Sequence, residues 1–276
     1  MTEQERGTDR YGVIDHGGRA DGPTLLLLHG LMGRGRAWGP HLDWLRAHGR
    51  VLTVDAAWHR GRDFTDGQDL PGPGDPRIRT ERFVADAAAA LEAHTDSPAV
   101  VIGHSMGGLH AWCLAAARPD LVSAIVVEDM GPDFSGMTTR PWDAWFDSWP
   151  VEFDRRAAEE MFGPVAARYF LDSFDRTPAG WRLHGRMPVW REIAQHWGTR
   201  DYWAQWRATD CPALLLEAEH SLVPPGQMRA MAEIDRGAPT RYRRIDRAGH
   251  LIQADDPARY RAEVEDFLAA VAVLPG

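Results

Sequence analysis

The run Val100-Val101-Ile102-Gly103-His104-Ser105-Met106-Gly107-Gly108 carries the clearest candidate nucleophile in the chain. Apolar, largely β-branched residues lead into Gly-x-Ser-x-Gly, and an Ala- and Leu-rich stretch follows. The order is strand, sharp turn, helix. So tight a turn holds Ser105 at strained backbone angles, a strain usually kept for chemistry. Glycine at 103 and 107 leaves room where a Cβ would strike the adjoining strand and helix. The Met106 amide then falls at a helix N-terminus, where developing negative charge is stabilised.

A serine hydroxyl is a poor nucleophile at neutral pH. It needs a base within hydrogen-bond reach and an acid that orients the base. Imidazole has the matching proton affinity. Of the twelve histidines, His250 has the positional argument: it follows Gly249 beyond the last predicted strand and precedes the last helix. His104 adjoins the serine and would point away from it, which assigns it to the scaffold, and His29 is assigned to shaping the loop after its own strand. Carboxylates at strand ends, Asp129, Glu217 and Glu219, are the candidates for the acid. A tetrahedral intermediate needs two amide donors; Met106 offers one, and Leu31, in the loop after the first long strand, offers the other.

These residues need elements to hold them. Tyr11 to Asp15 reads as a short strand, and Thr24 to Leu28, Val51 to Val54, 99–103 and Leu121 to Val127 read as strands, several of them continuous apolar runs suited to burial on both faces. The spacing of Trp38, Leu42 and Leu45 predicts one helix stopped by Gly49, and further helices start at Thr80 and follow Ser105. Residues 55–78 form a Gly-, Pro- and Asp-rich loop, long enough to be functional or mobile. Composition shifts over 132–209, which hold eight of the twelve tryptophans and no convincing buried strand, so this segment reads as a helical insertion. The pattern resumes with a strand at Ala213 to Leu216, a helix at Met228 to Ile234, a strand at Tyr242 to Ile245 and a closing helix through Val264, Phe267, Leu268 and Val271. Alternating strands and helices imply a parallel sheet covered on both faces, with ligands bound beyond the carboxyl ends of its strands. His29, Asp55, Ser105, Asp129, Ser221 and His250 all fall near such ends.

Composition narrows the function. The chain has 276 residues and a formal net charge of −9, which argues against a nucleic-acid partner. Every basic residue is arginine, so no lysine is present to form a Schiff base, and the absence of asparagine leaves no N-glycosylation site. Cys113 and Cys211 match no metal or disulfide spacing and read as buried free thiols. Residues 1–10 read as a disordered polar lead without the apolar core of a signal peptide, and no apolar run is long enough to span a bilayer. A cytoplasmic protein without membrane association is expected. Trp142, Trp145 and Trp149 share a helical face; the stripe serves the insertion's own packing first, while Trp142 and Trp145, with Met32, are expected to wall the substrate pocket.

Together, His29-Gly30 after a strand, Gly103-His104-Ser105-Met106-Gly107-Gly108 at the turn and Gly249-His250 before the last helix resemble the α/β-hydrolase superfamily. The resemblance implies an α/β fold: a mostly parallel central sheet flanked by helices, with a helical cap inserted after the sixth strand. The core would run over 1–131 and 210–276, with the cap at 132–209. In this fold the acid often follows the strand after the cap, but Ser221 stands there. That departure resembles a subgroup of bacterial esterases and acyl-thioester hydrolases whose acid follows the sixth strand, which favours Asp129 over Glu217 and Glu219 and gives Ser221 a supporting hydrogen bond. The resemblance implies hydrolysis of a small-molecule ester, thioester or lactone with no metal or organic cofactor. Carbon–carbon bond hydrolysis on the same fold is the enzymatic alternative, and a ligand-binding sensor with a slow triad is the alternative from another class. Epoxide and haloalkane hydrolysis are disfavoured, since their nucleophile is a carboxylate.

Overall fold

The computed structural model describes residues 11–61, 69–137 and 140–272, without the side chains of 140–142. The expected lead at 1–10 lies outside the described residues.

Seven strands form one sheet: β1 (Val13–Gly18), β2 (Thr24–Leu28), β3 (Arg50–Val54), β4 (Ala99–His104), β5 (Val122–Glu128), β9 (Ala213–His220) and β10 (Thr240–Gly249), in the spatial order β1-β3-β2-β4-β5-β9-β10. Only β1 is antiparallel to its neighbour, on the edge of the sheet; the remaining pairs are parallel. The period-two geometry of a strand divides the core in two. Leu26, Leu52, Val101, Ile125 and Leu215 face one layer, with α2 (Thr80–His94), α3 (Met106–Ala117) and α8 (Gln227–Glu233). Leu25, Val51, Val100, Val126 and Leu216 face the other, with α1 (Leu42–Arg46) and α10 (Pro257–Val271). Continuous apolar runs are what burial on both faces demands. Cys113 and Cys211 are buried and unpaired.

Three expectations are corrected. Residues Gly35–His41 form a 3-10 helix rather than the start of one long α-helix. Pro40 has no amide hydrogen to donate, so the α-helical ladder begins only at Leu42. The strand before the insertion is the fifth among the described residues, not the sixth, because nothing described precedes β1. The inserted segment is also not purely helical. It holds α4 (Arg140–Asp147), β6 (Glu152–Phe153), α5 (Arg155–Ser173), β7 (Asp175–Thr177), β8 (Gly180–Arg182), α6 (Met187–Trp197) and α7 (Trp203–Arg207), and β6, β8 and β7 form a small antiparallel sheet. Strands of two or three residues leave no apolar alternation to read. α5 breaks at Gly163, whose φ of 76° immediately precedes Pro164.

The insertion leaves and returns at one point. Asp133 bridges Asp201, and the Tyr202 amide donates to the Pro132 carbonyl at 2.7 Å. Beyond it, Trp206 on α7 packs into the layer shared with α3. The insertion's own core is aromatic: Trp149, Phe153, Phe174, Trp181 and Trp190 form one cluster with Met32, Trp58 and Met106. Arg34 ties it to the sheet, donating to Asp55 at 3.2 Å and to Asp175 on β7 at 2.6 Å. The described part of the 55–78 loop is pinned under the insertion, since Trp190 Nε1 donates to the Trp58 carbonyl at 3.0 Å. No helix among the described residues is long and apolar enough to cross a membrane.

Candidate functional site

Ser105 terminates β4 with φ 52° and ψ −120° and caps α3. For a non-glycine residue this is a strained conformation. It is over-determined from both sides. The Ser105 amide donates to the Glu128 carbonyl at 2.8 Å, and the Gly108 amide donates to the Ser105 carbonyl at 2.8 Å. A Cβ on Gly103 would lie 2.2 Å from the Gly107 carbonyl oxygen, and one on Gly107 would lie 2.2 Å from that of Leu28. Only glycine at both positions lets α3 start this close to the sheet.

The end of the neighbouring strand β5 presents Glu128 and Asp129, and the pleat sends them apart. Asp129, with φ 47°, is fully buried and accepts from His250 Nδ1 at 2.7 Å and from the Ala218 amide at 2.9 Å. Burial is the largest influence on this carboxyl and opposes its ionisation, yet the bonds from His250, Ala218 and the Ser221 hydroxyl outweigh it and hold its pKa below the usual range. Glu128 goes the opposite way. It is buried beneath α9 (Ile252–Asp255), accepts from the Gln253 amide at 2.9 Å, and burial pushes its pKa well above the ordinary value. Asp129 therefore fixes the His250 ring, while Glu128 fixes the backbone just beyond it. His104 fixes the same residue from the other side, donating from Nε2 to the His250 carbonyl at 2.9 Å. Burial lowers the His104 pKa to about 3, so the ring is neutral.

The other acid candidates are occupied elsewhere. Glu217 accepts from the Tyr242 hydroxyl, and Glu219 accepts from the Arg247 amide at 2.7 Å. Ser221 reaches Asp129 with its side chain and also accepts from the Val223 amide at 2.9 Å. His29 holds the loop after β2, donating from Nδ1 to the Gly30 carbonyl at 2.7 Å and accepting from the Ala56 amide at 3.0 Å.

Ser105, Asp129 and His250 line one cavity of about 410 Å³. Among the described residues no hydrogen bond joins Ser105 to His250; such contacts are often loose without substrate and tighten when it binds. Neither the Leu31 amide nor the Met106 amide has a hydrogen-bond partner among the described residues, so both are available as donors. The walls are apolar: Met32, Met130, Trp145, Phe162, Phe170 and Trp197 among others. Asp129 carries the one carboxylate among the described lining residues, and none of them is an arginine. Of the expected pocket residues, Met32 and Trp145 line the cavity and the side chain of Trp142 lies outside the described residues. Trp149 turns into the aromatic core of the insertion, its ring 4.9 Å from that of Trp145. Sequence reasoning missed Tyr169, Phe162 and Phe170 on α5 as lining residues. The Gly163-Pro164 break, which splits the helix above the site, was the available signal.

The chain resembles known proteins over nearly its whole length. It is 28% identical to the mouse sn-1-specific diacylglycerol lipase ABHD11 over 94% of this chain and 84% of that protein. It is 28% identical to the (E)-2-((N-methylformamido)methylene)succinate hydrolase of Acinetobacter baylyi over 72% of each. Its fold matches the crystal structure of E-2-(acetamidomethylene)succinate hydrolase with a TM-score of 0.74, at 20% identity, over 93% of this chain and 94% of the other. The model of the alpha/beta hydrolase family matches residues 25–263, and with the sheet order and the elbow at Ser105 already described, the chain belongs to that family.

Proposed function

We propose that the protein is a serine hydrolase of uncharged carboxylic esters, thioesters or lactones with an apolar acyl part. Ser105 Oγ attacks the acyl carbonyl while His250 Nε2 takes its proton. Asp129 accepts from Nδ1, which selects the tautomer with a free Nε2 and stabilises the imidazolium that forms. The Leu31 and Met106 amides receive the oxyanion. The intermediate collapses, His250 returns the proton to the departing alcohol or thiol, and the acyl group stays on Ser105. Water activated by His250 then releases the acid.

The observation that carries this reading is the strained Ser105 sharing one apolar cavity with a His250 ring held at 2.7 Å by a buried, ionised Asp129. The same cavity argues for substrate charge. Two of the similar proteins are named for succinate derivatives, whose carboxylates would need cationic partners, and no arginine is among the described lining residues here. The diacylglycerol lipase named above acts, by its name, on a neutral ester.

A panel of p-nitrophenyl esters tests both parts. Ser105→Ala should lower turnover by about 10³-fold or more, and a fluorophosphonate probe should label the wild type but not the variant. Neutral acyl chains should be hydrolysed at least about tenfold faster than chains of equal length ending in a carboxylate, the scale of roughly 1.4 kcal/mol. Undiminished turnover in Ser105→Ala, or a preference for the carboxylate series, would overturn the corresponding part.

A further inference from the structure

One polar group in the cavity is left unused by the reaction just described. Tyr169, on α5, is buried among apolar walls with its ring edge-on to His104, centroids 5.7 Å apart. Its hydroxyl is sealed from bulk solvent and has no hydrogen-bond partner among the described residues. Burying a hydroxyl unpaired is unfavourable, and a phenylalanine at this position would avoid the cost. Such an orphan, on a residue that lines a cavity accepting substrate, calls for a partner that arrives with the substrate.

Its position says which atom that partner is. The hydroxyl rests on the loop after β2. A Cβ on Gly33 would lie 2.2 Å from the Tyr169 oxygen, so the hydroxyl occupies the space that glycine leaves. The Gly30 amide approaches the same oxygen without completing a hydrogen bond. Gly30 in turn abuts the nucleophile, because a Cβ there would lie 3.3 Å from the Ser105 Cβ. Leu31, whose amide has no partner among the described residues, stands between these two glycines. The phenol is held protonated by burial, which raises its pKa above the ordinary value, so at neutral pH it can donate.

We propose that the Tyr169 hydroxyl donates a third hydrogen bond to the acyl oxygen as the tetrahedral intermediate forms, beside the Leu31 and Met106 amides. The inference rests on the hydrolytic reading of Ser105. The tyrosine keeps its proton throughout, and no bond to it is made or broken. Because Tyr169 belongs to the insertion and the two amides to the sheet, the oxyanion is gripped from both sides of the cavity. Gly33 becomes part of the device, since any side chain there would displace the hydroxyl.

Tyr169→Phe isolates the hydroxyl and keeps the ring against His104. Three quantities are read in wild type and variant: kcat and KM on p-nitrophenyl butyrate, inhibition by an alkyl boronic acid that forms a tetrahedral anion on Ser105, and fluorophosphonate labelling of Ser105. The expected result is a fall in kcat of about 10–100-fold, KM within about threefold, and boronate inhibition weakened by a similar factor to kcat, with the unfolding temperature unchanged or raised. A kcat within twofold of wild type overturns the assignment. So does a loss confined to KM with boronate affinity intact, which would make Tyr169 a wall for the ground state. If the wild-type protein neither turns over the ester nor takes the label at Ser105, the nucleophile itself has been misassigned and the role of Tyr169 falls with it. Normal labelling with an unaffected Tyr169→Phe variant rejects only the tyrosine.

Discussion

Adjacent carboxyls can have their pKa values driven in opposite directions by the pleat of one strand, and the end of β5 does this. Hydrogen bonds hold the pKa of Asp129 below the usual range, while burial beneath α9 pushes that of Glu128 well above it. Asp129→Asn should therefore lower kcat by about 10⁴-fold, because an amide can donate to His250 Nδ1 and so favours the tautomer that blocks Nε2. Glu217→Gln and Glu219→Gln should stay within a few-fold, since those carboxylates bond to Tyr242 and Arg247. Turnover of the three variants on one ester decides the ranking, and the reverse order would move the acid to the end of β9. The Ser105 elbow, His250 and the candidate carboxylates at strand ends could be read from the chain because each sits beside a glycine or ends an apolar run. Tyr169 and the buried role of Glu128 could not. Both depend on which face of an element is covered by another segment far away in sequence, and neither residue type carries a local pattern that reports it.

At the scale of elements, the long parallel strands were legible because burial on both faces forces unbroken apolar runs. The short β6, β7 and β8 were not, because two or three residues pair through their backbones and need no particular side chains. Nor was the 3-10 segment at Gly35–His41, where one proline overrides a helical spacing of apolar residues. The join between sheet and insertion turns on Arg34, whose guanidinium is mostly buried between Asp55 and Asp175. Arg34→Met leaves buried Asp55 without its guanidinium partner and still accepting from the Gly35 amide at 2.8 Å. That variant should lose about 3 kcal/mol or more of stability. Asp175→Asn removes one partner from a third-exposed position and should cost about 1 kcal/mol or less. Urea unfolding of the two variants separates these values, and equal losses would show that Asp55 does not depend on Arg34.

For the whole molecule, the buried histidines set the response to acid. Burial lowers His41 to about 4, and His104 and His110 to about 3, from an ordinary value of 6.5. Folded, these rings stay neutral in mild acid; unfolded, they take up protons below about pH 6.5. The unfolded chain thus binds more protons in that window, and stability falls as pH drops through it, by up to about 1.4 kcal/mol per pH unit for each ring. Asp129 adds to the loss only lower down, as pH falls through its depressed value. Glu128 acts in the opposite sense: its raised pKa contributes most below the ordinary 4.5 of a free glutamate and less as pH rises. Six buried rings, those of His29, His41, His59, His104, His110 and His184, are lowered against two raised carboxyls, Glu128 and Asp172, so unfolding free energies from urea titrations should be smaller at pH 5 than at pH 7. Equal values at the two pH values would mean that the rings are hydrated or partnered in solution.

The bridge from Asp133 to Asp201 brings the two ends of the insertion side by side at the rim of the sheet. Everything between them can in principle be transplanted. A chimaera that receives this stretch from a relative must match that narrow junction, supply an acidic residue to meet Arg34 and keep the face that packs on Met32, Trp58 and Met106. Selectivity for one acyl group over another would then travel with the graft, while the host keeps its nucleophile, base and acid.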